Sequence, residues 1–211
     1  MQSPAVSPWP KLEVRKRERA LKRDAVLHAA VQAFNEKGYH ATSLDDVALS
    51  LNVTKPTIYH YFANKDEILF ECVRLGLEGI RDAAEGVASR GGSGIEKLRA
   101  LMRDYALIMT RDFGICVSRT ADHELTPASR AKFRELKREI DATIRSVIDD
   151  GIRDGSIAAG DVRLMTFTIA GALNWIARWY EPDGPMTGEE IADGCVNTLV
   201  LGLSPRRMGT E

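Results

Sequence analysis

The sequence lacks the features of a membrane protein and of a disulfide-stabilised protein. Among its 211 residues, no apolar run reaches the roughly 18 residues needed to span a bilayer, and the N-terminal MQSPAVSPWP has no apolar export segment. Cys72, Cys116 and Cys195 are odd in number and widely spaced, without a C-x-x-C pair, so they indicate neither a disulfide framework nor a zinc site. We therefore expect a globular cytoplasmic protein with reduced, mostly buried cysteines and no metal.

Sequence signatures of catalysis are also missing. The histidines number four, and the H-E-L-T-P segment that begins at His123 lacks the second histidine of a zinc-protease motif. No serine lies in a G-x-S-x-G context, and the glycine-rich residues 90–94 lack the Lys-Ser or Lys-Thr of a phosphate-binding loop. We interpret the glycine cluster as a turn and expect no enzyme and no cofactor, with a helical enzyme as the unlikely alternative.

Apolar residues recur mostly at spacings of three and four, with scant alternation of the β type, which predicts an all-α fold. Beyond the N-terminal third, predicted helices cover about 66–89, 95–111, 113–120, 127–154, 161–180 and 187–201. We predict four regions: a disordered basic arm over 1–18, a small helical domain over 19–65, a larger helical domain over 66–203, and a disordered tail over 204–211.

Two short helices joined by a tight turn are predicted between Thr42 and Lys65. The first helix has an apolar stripe at spacings of i, i+3, i+4 and i+7, formed by Leu44, Val47, Ala48 and Leu51. Asn52 and Val53 break this pattern, and Thr54 is placed to cap a second helix over about 55–61.

The second of these helices has a polar outer surface. Only Ile58 and Phe62 are expected in the core, whereas the side chains expected outside are Lys55, Thr57, Tyr59, His60 and Tyr61. Such groups bond phosphate oxygens and base edges, and a helix-turn-helix delivers its second helix to the major groove. The segment is therefore typical of a DNA-reading motif, and the alternative is a solvated polar helix in an unrelated bundle.

The distribution of charge agrees with DNA binding. Residues 11–65 hold ten Lys or Arg and six Asp or Glu, a net charge of +4, whereas the rest of the chain holds 19 and 24, a net charge of −5. Much of the basic excess precedes the first apolar helix, at Arg15, Lys16, Arg17, Arg19, Lys22 and Arg23. A basic arm can follow phosphates or enter a minor groove, and the alternative is a frayed, solvated N-terminus.

The pattern G-Y-x-x-T-S-x-x-x-V-A-x-x-x-x-V-x-K-x-T-x-Y-x-Y-F-x-x-K-x-x-[IL], read from Gly38 through Leu69, resembles the N-terminal domain of the TetR family of transcriptional regulators. The resemblance spans roughly residues 21–75 without a gap, with Pro56 where many members have glycine. It implies a core role for Leu44, Val47, Ile58 and Phe62. It also implies DNA contacts by Thr42, Ser43, Lys55, Pro56, Thr57, Tyr59, His60, Tyr61 and Lys65.

The last two predicted helices are joined by the turn-forming residues 181–185, so they should form an antiparallel pair. In the TetR family such a pair forms a homodimer as a four-helix bundle. Candidate interface residues are Ala170, Gly171, Leu173, Val196, Leu199 and Val200. The resemblance thus implies a palindromic double-stranded DNA operator, with reading helices about 34 to 36 Å apart or a larger multiple.

A small-molecule effector is expected in the C-terminal helices, where family members bind ligands that lower DNA affinity. Trp175 and Trp179 share a helix face, and Arg178 lies close enough to bind a carboxylate or phosphate. The other candidates for this site are Asn174 and four residues chosen by helix pattern, Met102, Tyr105, Met109 and Phe113. The segment GALNWIARWYEPDGP resembles members that respond to acyl-CoA compounds of fatty acid, aromatic acid or sterol catabolism.

Two alternatives stay open at this stage. The aromatic residues around Trp175 are also typical of a core or a dimer contact, with Arg178 paired to an acidic residue. A repressor released by its effector is the main hypothesis. An activator or an architectural protein that binds DNA without effector release would share the same DNA-binding domain.

Overall fold

Helices dominate the computed structural model, which describes residues 12–203. Within those residues there is no β-strand, and the only regular element besides the α-helices is a short 3₁₀ turn at Asp122–Glu124. The helices are α1 Leu12–Lys37, α2 Leu44–Ser50, α3 Lys55–Tyr59, α4 Lys65–Ala88, α5 Gly94–Met109, α6 Asp112–Arg119, α7 Pro127–Arg153, α8 Val162–Trp179 and α9 Gly188–Leu203. The predicted all-α fold is confirmed.

The predicted disordered arm needs correction. The first helix begins at Leu12, so residues 12–18 are helical, whereas residues 1–11 and the predicted tail over 204–211 lie outside the described residues. Arg, Lys, Glu, Leu and Ala are strong helix formers, and Lys16 Nζ lies 3.5 Å from Glu13 Oε1 one turn away. The basic charges of this segment therefore lie on an exposed helix.

The chain divides into two compact units, and the first ends at Ile68. Its core consists of one face of α1 packed on α2 and α3, with buried side chains at Val26, Leu27, Ala30, Val31, Phe34, Leu44, Val47, Ile58 and Phe62. Gly38 ends α1 with a φ of 83°, and Asn52 follows α2 with a φ of 52°, both in the left-handed region that such residues tolerate. These two residues fix the turns on either side of α2.

The second unit begins at Leu69, inside α4. Helix α5 lies at its centre and packs against α6, α7, α8 and α9, so its apolar face is fully covered. The core positions of α5 are Leu98, Leu101, Met102, Ala106 and Met109. As expected, α8 and α9 are joined by the turn at 180–187.

Candidate functional site

Both helices of the predicted DNA-reading motif begin as the sequence indicates. Ser43 caps α2 by accepting a hydrogen bond from the Asp46 backbone N–H at 3.1 Å, and the Asp46 carboxylate accepts one from the Ser43 N–H at 3.5 Å. These hydrogen bonds to Ser43 lower the pKa of Asp46 below its usual value. Thr54 is the N-cap residue of α3, and Pro56 lies in the first turn.

Helix α3 is held by one completely buried residue and exposes the remainder of its surface. Ile58 has no solvent exposure, whereas Pro56, Thr57, Tyr59 and His60 are exposed. The helix is shorter than predicted, ending at Tyr59 rather than Tyr61, because Phe62 turns into the core. A hydroxyl, a phenol and an imidazole thus project together from an element anchored on the opposite side.

The two lysines of the motif already have partners in the free protein. Lys55 Nζ lies 2.9 Å from Asp45 Oδ2, and this hydrogen bond raises the pKa of Lys55. Lys65 Nζ lies 4.3 Å from the centroid of the Tyr39 ring, and partial burial lowers the pKa of this lysine. Both ammonium groups lie at the surface of the first unit. Lys55 is the first residue of α3, and Lys65 is the first residue of α4.

The structure corrects the predicted contact between the Thr42 side chain and DNA. Its side chain is buried, and its hydroxyl lies 3.0 Å from the Ala33 carbonyl oxygen and 2.9 Å from the Gly38 carbonyl oxygen. This hydroxyl joins the end of α1 to the start of α2, so it does not face a ligand. Sequence spacing alone does not distinguish such a threonine from an exposed neighbour.

The second unit contains a cavity of about 570 Å³. Its walls come from five helices, α4 to α8, and consist of Leu77, Tyr105, Val117, Ser118, Thr120, Lys137, Arg138, Ile140, Asp141, Ile144, Thr166, Phe167, Ala170, Gly171 and Asn174. This volume lies within the range of about 300–1,000 Å³ that suits drug-sized ligands. The cavity is therefore large enough for a small organic molecule.

The cavity lining is both apolar and polar. Its apolar residues include Ile140, Ile144 and Phe167, and its charged residues include Lys137 and Arg138. The exposed Lys137 and Arg138, here named the α7 lip, form no ion pair with any carboxylate of the described residues.

A hydrogen-bonded pair of side chains lies in the cavity wall. The buried Tyr105 hydroxyl donates to Asn174 Oδ1 at 3.0 Å, and burial raises the pKa of Tyr105 to about 12. On α6, Ser118 Oγ donates to the Asn174 carbonyl oxygen at 3.0 Å. The Asn174 side chain and its helix are thus fixed from two directions.

The eight predicted effector residues separate into distinct locations. Tyr105 and Asn174 line the cavity, whereas Met102 and Met109 are fully buried in the core and Phe113 lies outside the cavity walls. Trp175 and Trp179 are exposed, and Arg178 Nη2 donates to the Ser118 carbonyl oxygen at 2.7 Å. The two indoles and Arg178 are therefore not among the cavity walls.

The α7 contribution to the cavity was missed by sequence reasoning. Ile140, Ile144, Lys137 and Arg138 all line the cavity, yet none of them was among the predicted effector residues. Which side of α7 faces the cavity depends on how this helix packs against its neighbours, so spacing along the sequence does not give it.

Helices α8 and α9 expose apolar residues on a surface here named the outer face, made of Leu164, Trp175, Trp179 and Leu201. Their side chains are 64%, 64%, 45% and 80% exposed in the single chain. Of the predicted interface residues, Leu173, Val196 and Val200 are instead buried within the chain's own core. Ala170 and Gly171 line the cavity.

The described residues contain no group of three or more His, Cys, Asp and Glu side chains placed to hold a metal ion. Across 12–203, no helix is both long and apolar enough to cross a membrane.

Comparisons with known proteins identify both units. Residues 26–72 match the family of bacterial regulatory proteins designated tetR, and residues 91–203 match the tetracyclin repressor-like C-terminal domain. The TetR family regulator PfmR from Thermus thermophilus has a similar structure, with a TM-score of 0.78, 32% identity, and coverage of 85% of this chain and 99% of that one.

Two further similar proteins have named ligands or roles. AibR, crystallised with isovaleryl coenzyme A and operator DNA, has a TM-score of 0.75 and 29% identity over 85% of this chain and 98% of that one. The HTH-type transcriptional repressor KstR2 of Mycolicibacterium smegmatis is 26% identical over 88% of this chain and 92% of its own. The chain belongs to the TetR family of DNA-binding transcriptional regulators.

Proposed function

We propose that this regulator is a homodimeric repressor that binds a palindromic operator through α3 and leaves it when an acyl-CoA occupies the cavity of the second unit. The observation that carries the proposal is the combination of an outward polar α3 with an amphiphilic cavity bounded by the α7 lip. The repressor role and the acyl-CoA in this proposal draw on KstR2, which is named a transcriptional repressor, and on AibR, which was crystallised with isovaleryl coenzyme A and operator DNA.

Operator contact is assigned to the exposed residues of α3 and to the lysines beside them. Tyr59 and His60 offer donors to base edges or phosphates, and Pro56 and Thr57 present the first turn of the helix. Lys55 exchanges Asp45 for a phosphate on binding, which favours DNA because it releases counterions. Thr42 supports this surface from inside.

Effector binding is assigned to the cavity and the α7 lip. Ile140, Ile144 and Phe167 supply apolar walls for an acyl group. Lys137 and Arg138 supply two cations for the phosphates of a coenzyme A moiety at the opening. A ligand with an anionic head and an apolar acyl group matches this division, and this assignment replaces Arg178, the anion-binding residue expected from the sequence.

Dimerisation is assigned to the outer face. An exposed apolar surface on α8 and α9 is costly to leave in water, and a second copy of the same face would cover it with a two-fold axis. Two α3 helices at a fixed separation would then read the two halves of a palindrome.

The test begins with duplexes selected from a random pool by the purified protein, which should converge on a palindrome. His60→Ala should weaken binding to that operator by about tenfold, a loss typical of one good base contact. His123→Ala, an exposed histidine in the second unit, is the matched control and should leave binding unchanged. Equal affinity of the two variants would refute the assignment of α3 to the operator.

Effector release is tested on the same operator with isovaleryl-CoA, octanoyl-CoA and phenylacetyl-CoA, each against free coenzyme A. At least one thioester should lower operator affinity by about fivefold or more, a typical coupling. Replacing both residues of the α7 lip by Gln should weaken that response and its salt dependence, whereas Lys132→Gln, on the same helix outside the cavity walls, should not. If every thioester acts no better than free coenzyme A, the effector class is wrong.

Dimerisation is tested by Trp175→Asp on the outer face. This change should raise the dimer dissociation constant by about 30-fold or more, as for a central aromatic residue of an interface. Analytical ultracentrifugation measures the constant, and Ala142→Asp on exposed α7 is the control. A variant that stays dimeric at the same concentrations as the wild type would show that another surface forms the dimer.

A further inference from the structure

The Asn174 side chain has hydrogen-bonding capacity that the protein does not use. Its Oδ1 accepts from the Tyr105 hydroxyl at 3.0 Å, so its Nδ2, with two N–H donors, points to the other side. Within the described residues Nδ2 donates no hydrogen bond, and this nitrogen is not fully buried. Asn174 lines the cavity, so its two donors are available to a ligand bound there.

The orientation of this amide is fixed rather than free. The phenol that holds Oδ1 belongs to Tyr105, which is only 6% exposed and rises from the central helix α5. The backbone at Asn174 is held by Ser118 Oγ at 3.0 Å. Because rotation of the amide would break the bond to Tyr105, a ligand acceptor meets a preorganised donor, which saves the ordering cost of binding.

The lining of the cavity indicates which ligand atom the amide meets. Asn174 lines it together with the apolar residues Ile140, Ile144 and Phe167. An acyl group enclosed by these residues presents one kind of hydrogen-bonding atom, its carbonyl oxygen. A carbonyl oxygen carries lone pairs and no proton, so it accepts from Nδ2.

We propose that Asn174 is a specificity-determining residue that donates a hydrogen bond from Nδ2 to a carbonyl oxygen of the effector, and that Tyr105 is its positioning residue. The carbonyl has two possible sources, the thioester itself or an oxo group on the acyl chain. This inference rests on the proposed acyl-CoA effector. It goes beyond that proposal by naming the ligand atom to which Asn174 donates.

The experiment measures binding of matched ligands to the full-length protein by titration calorimetry. The probes are the best-binding thioester of the three above, its S-alkyl thioether, which lacks the carbonyl oxygen, and its 3-oxoacyl counterpart. The wild type should bind the thioester roughly fivefold to tenfold more tightly than the thioether, the value of one hydrogen bond that would otherwise be left unmade. This difference in affinity between thioester and thioether, here named the gap, should disappear in Asn174→Leu.

Further variants separate recognition from folding. Asn174→Asp keeps the acceptor for Tyr105 but has no N–H donor, so it should lose the same gap in an isosteric side chain. Tyr105→Phe should reduce the gap in part, because the amide is then free to rotate. Thr143→Val, on α7 outside the cavity walls, is the matched control, since its hydroxyl already donates to the Glu139 carbonyl oxygen at 3.1 Å and its loss should leave the gap intact.

Each outcome decides the proposal. A gap between thioester and thioether that Asn174→Leu removes assigns the thioester carbonyl, and a gap seen only for the 3-oxoacyl probe assigns the acyl-chain carbonyl. Ligands bound with neither gap, or a gap that persists in both Asn174 variants, overturn the inference and leave the effector class standing. Failure of every thioester to bind the wild type would refute the effector class, and this inference with it.

Discussion

Replacing Gly76 by alanine should destabilise the second unit, because this glycine is where α4 meets α6. A Cβ at this position would lie 2.5 Å from the Phe113 carbonyl oxygen and 2.6 Å from Val117 Cγ2. A backbone carbonyl within a helix cannot rotate away as the end of a long side chain can. The two helices would therefore have to separate.

The magnitude follows from two opposing effects. Overpacking of a tight contact costs about 1–3 kcal/mol. Replacing glycine by alanine inside a helix stabilises the helix by up to about 1 kcal/mol. A net loss of about 1–2 kcal/mol is therefore expected for Gly76→Ala. Gly79→Ala, one turn later on α4, has its nearest neighbour, Ile108 Cδ1, at an ordinary 3.7 Å and should gain about 0.5–1 kcal/mol.

Thermal unfolding followed by far-ultraviolet circular dichroism compares the two variants at one protomer concentration. A difference of about 1.5–3 kcal/mol corresponds to a separation of roughly 3–12 °C in Tm for a chain of this size. Because Val117 and Leu77 line the cavity, Gly76→Ala should also weaken effector binding, whereas Gly79→Ala should not. Equal melting temperatures for the two variants would refute the tight α4–α6 contact.

Three other predictions concern the first unit and the response to pH. Thr42→Val should lower the free energy of unfolding by about 1 kcal/mol yet leave the operator affinity of folded protein unchanged, and a direct loss of affinity would contradict its structural role. Asp45→Asn should strengthen operator binding several-fold at low salt and steepen its salt slope by roughly 0.9, because Lys55 is then released for a phosphate. Burial raises the pKa of Cys116 from 9.0 to about 12. The neutral buried thiol therefore contributes fully to the free energy of unfolding below pH 9, and this contribution is lost as the pH rises toward 12. Urea titrations at stepped pH should show that Cys116→Ala loses less stability at alkaline pH than the wild type does.

Much of the fold was predictable because its determinants are local. The stripe at Leu44 and Val47, and the caps at Ser43 and Thr54, lie within a few residues of the backbone they control. Such signals placed the starts of α2 and α3 correctly. The end of α3 was wrong by two residues because Phe62 turns inward to fill the core.

The candidate sites were less predictable because neighbouring residues on one helix have different partners. Asn174 and Trp175 were grouped as a single ligand-binding set. Successive residues of a helix point about 100° apart, so Asn174 reaches the cavity while Trp175 reaches the outer face. Only the packing of α8 between its neighbours shows which direction is which.

The sequence by itself determined the all-α fold, the helix-turn-helix segment and the family, because periodicity, caps and a spaced motif are properties of contiguous residues. Tertiary structure alone decided that Thr42 faces inward and that the α7 lip and Asn174 line one cavity. Those facts depend on the rotation and register of helices distant in sequence. Rotation and register are set by side-chain packing over the whole unit, which no local pattern records.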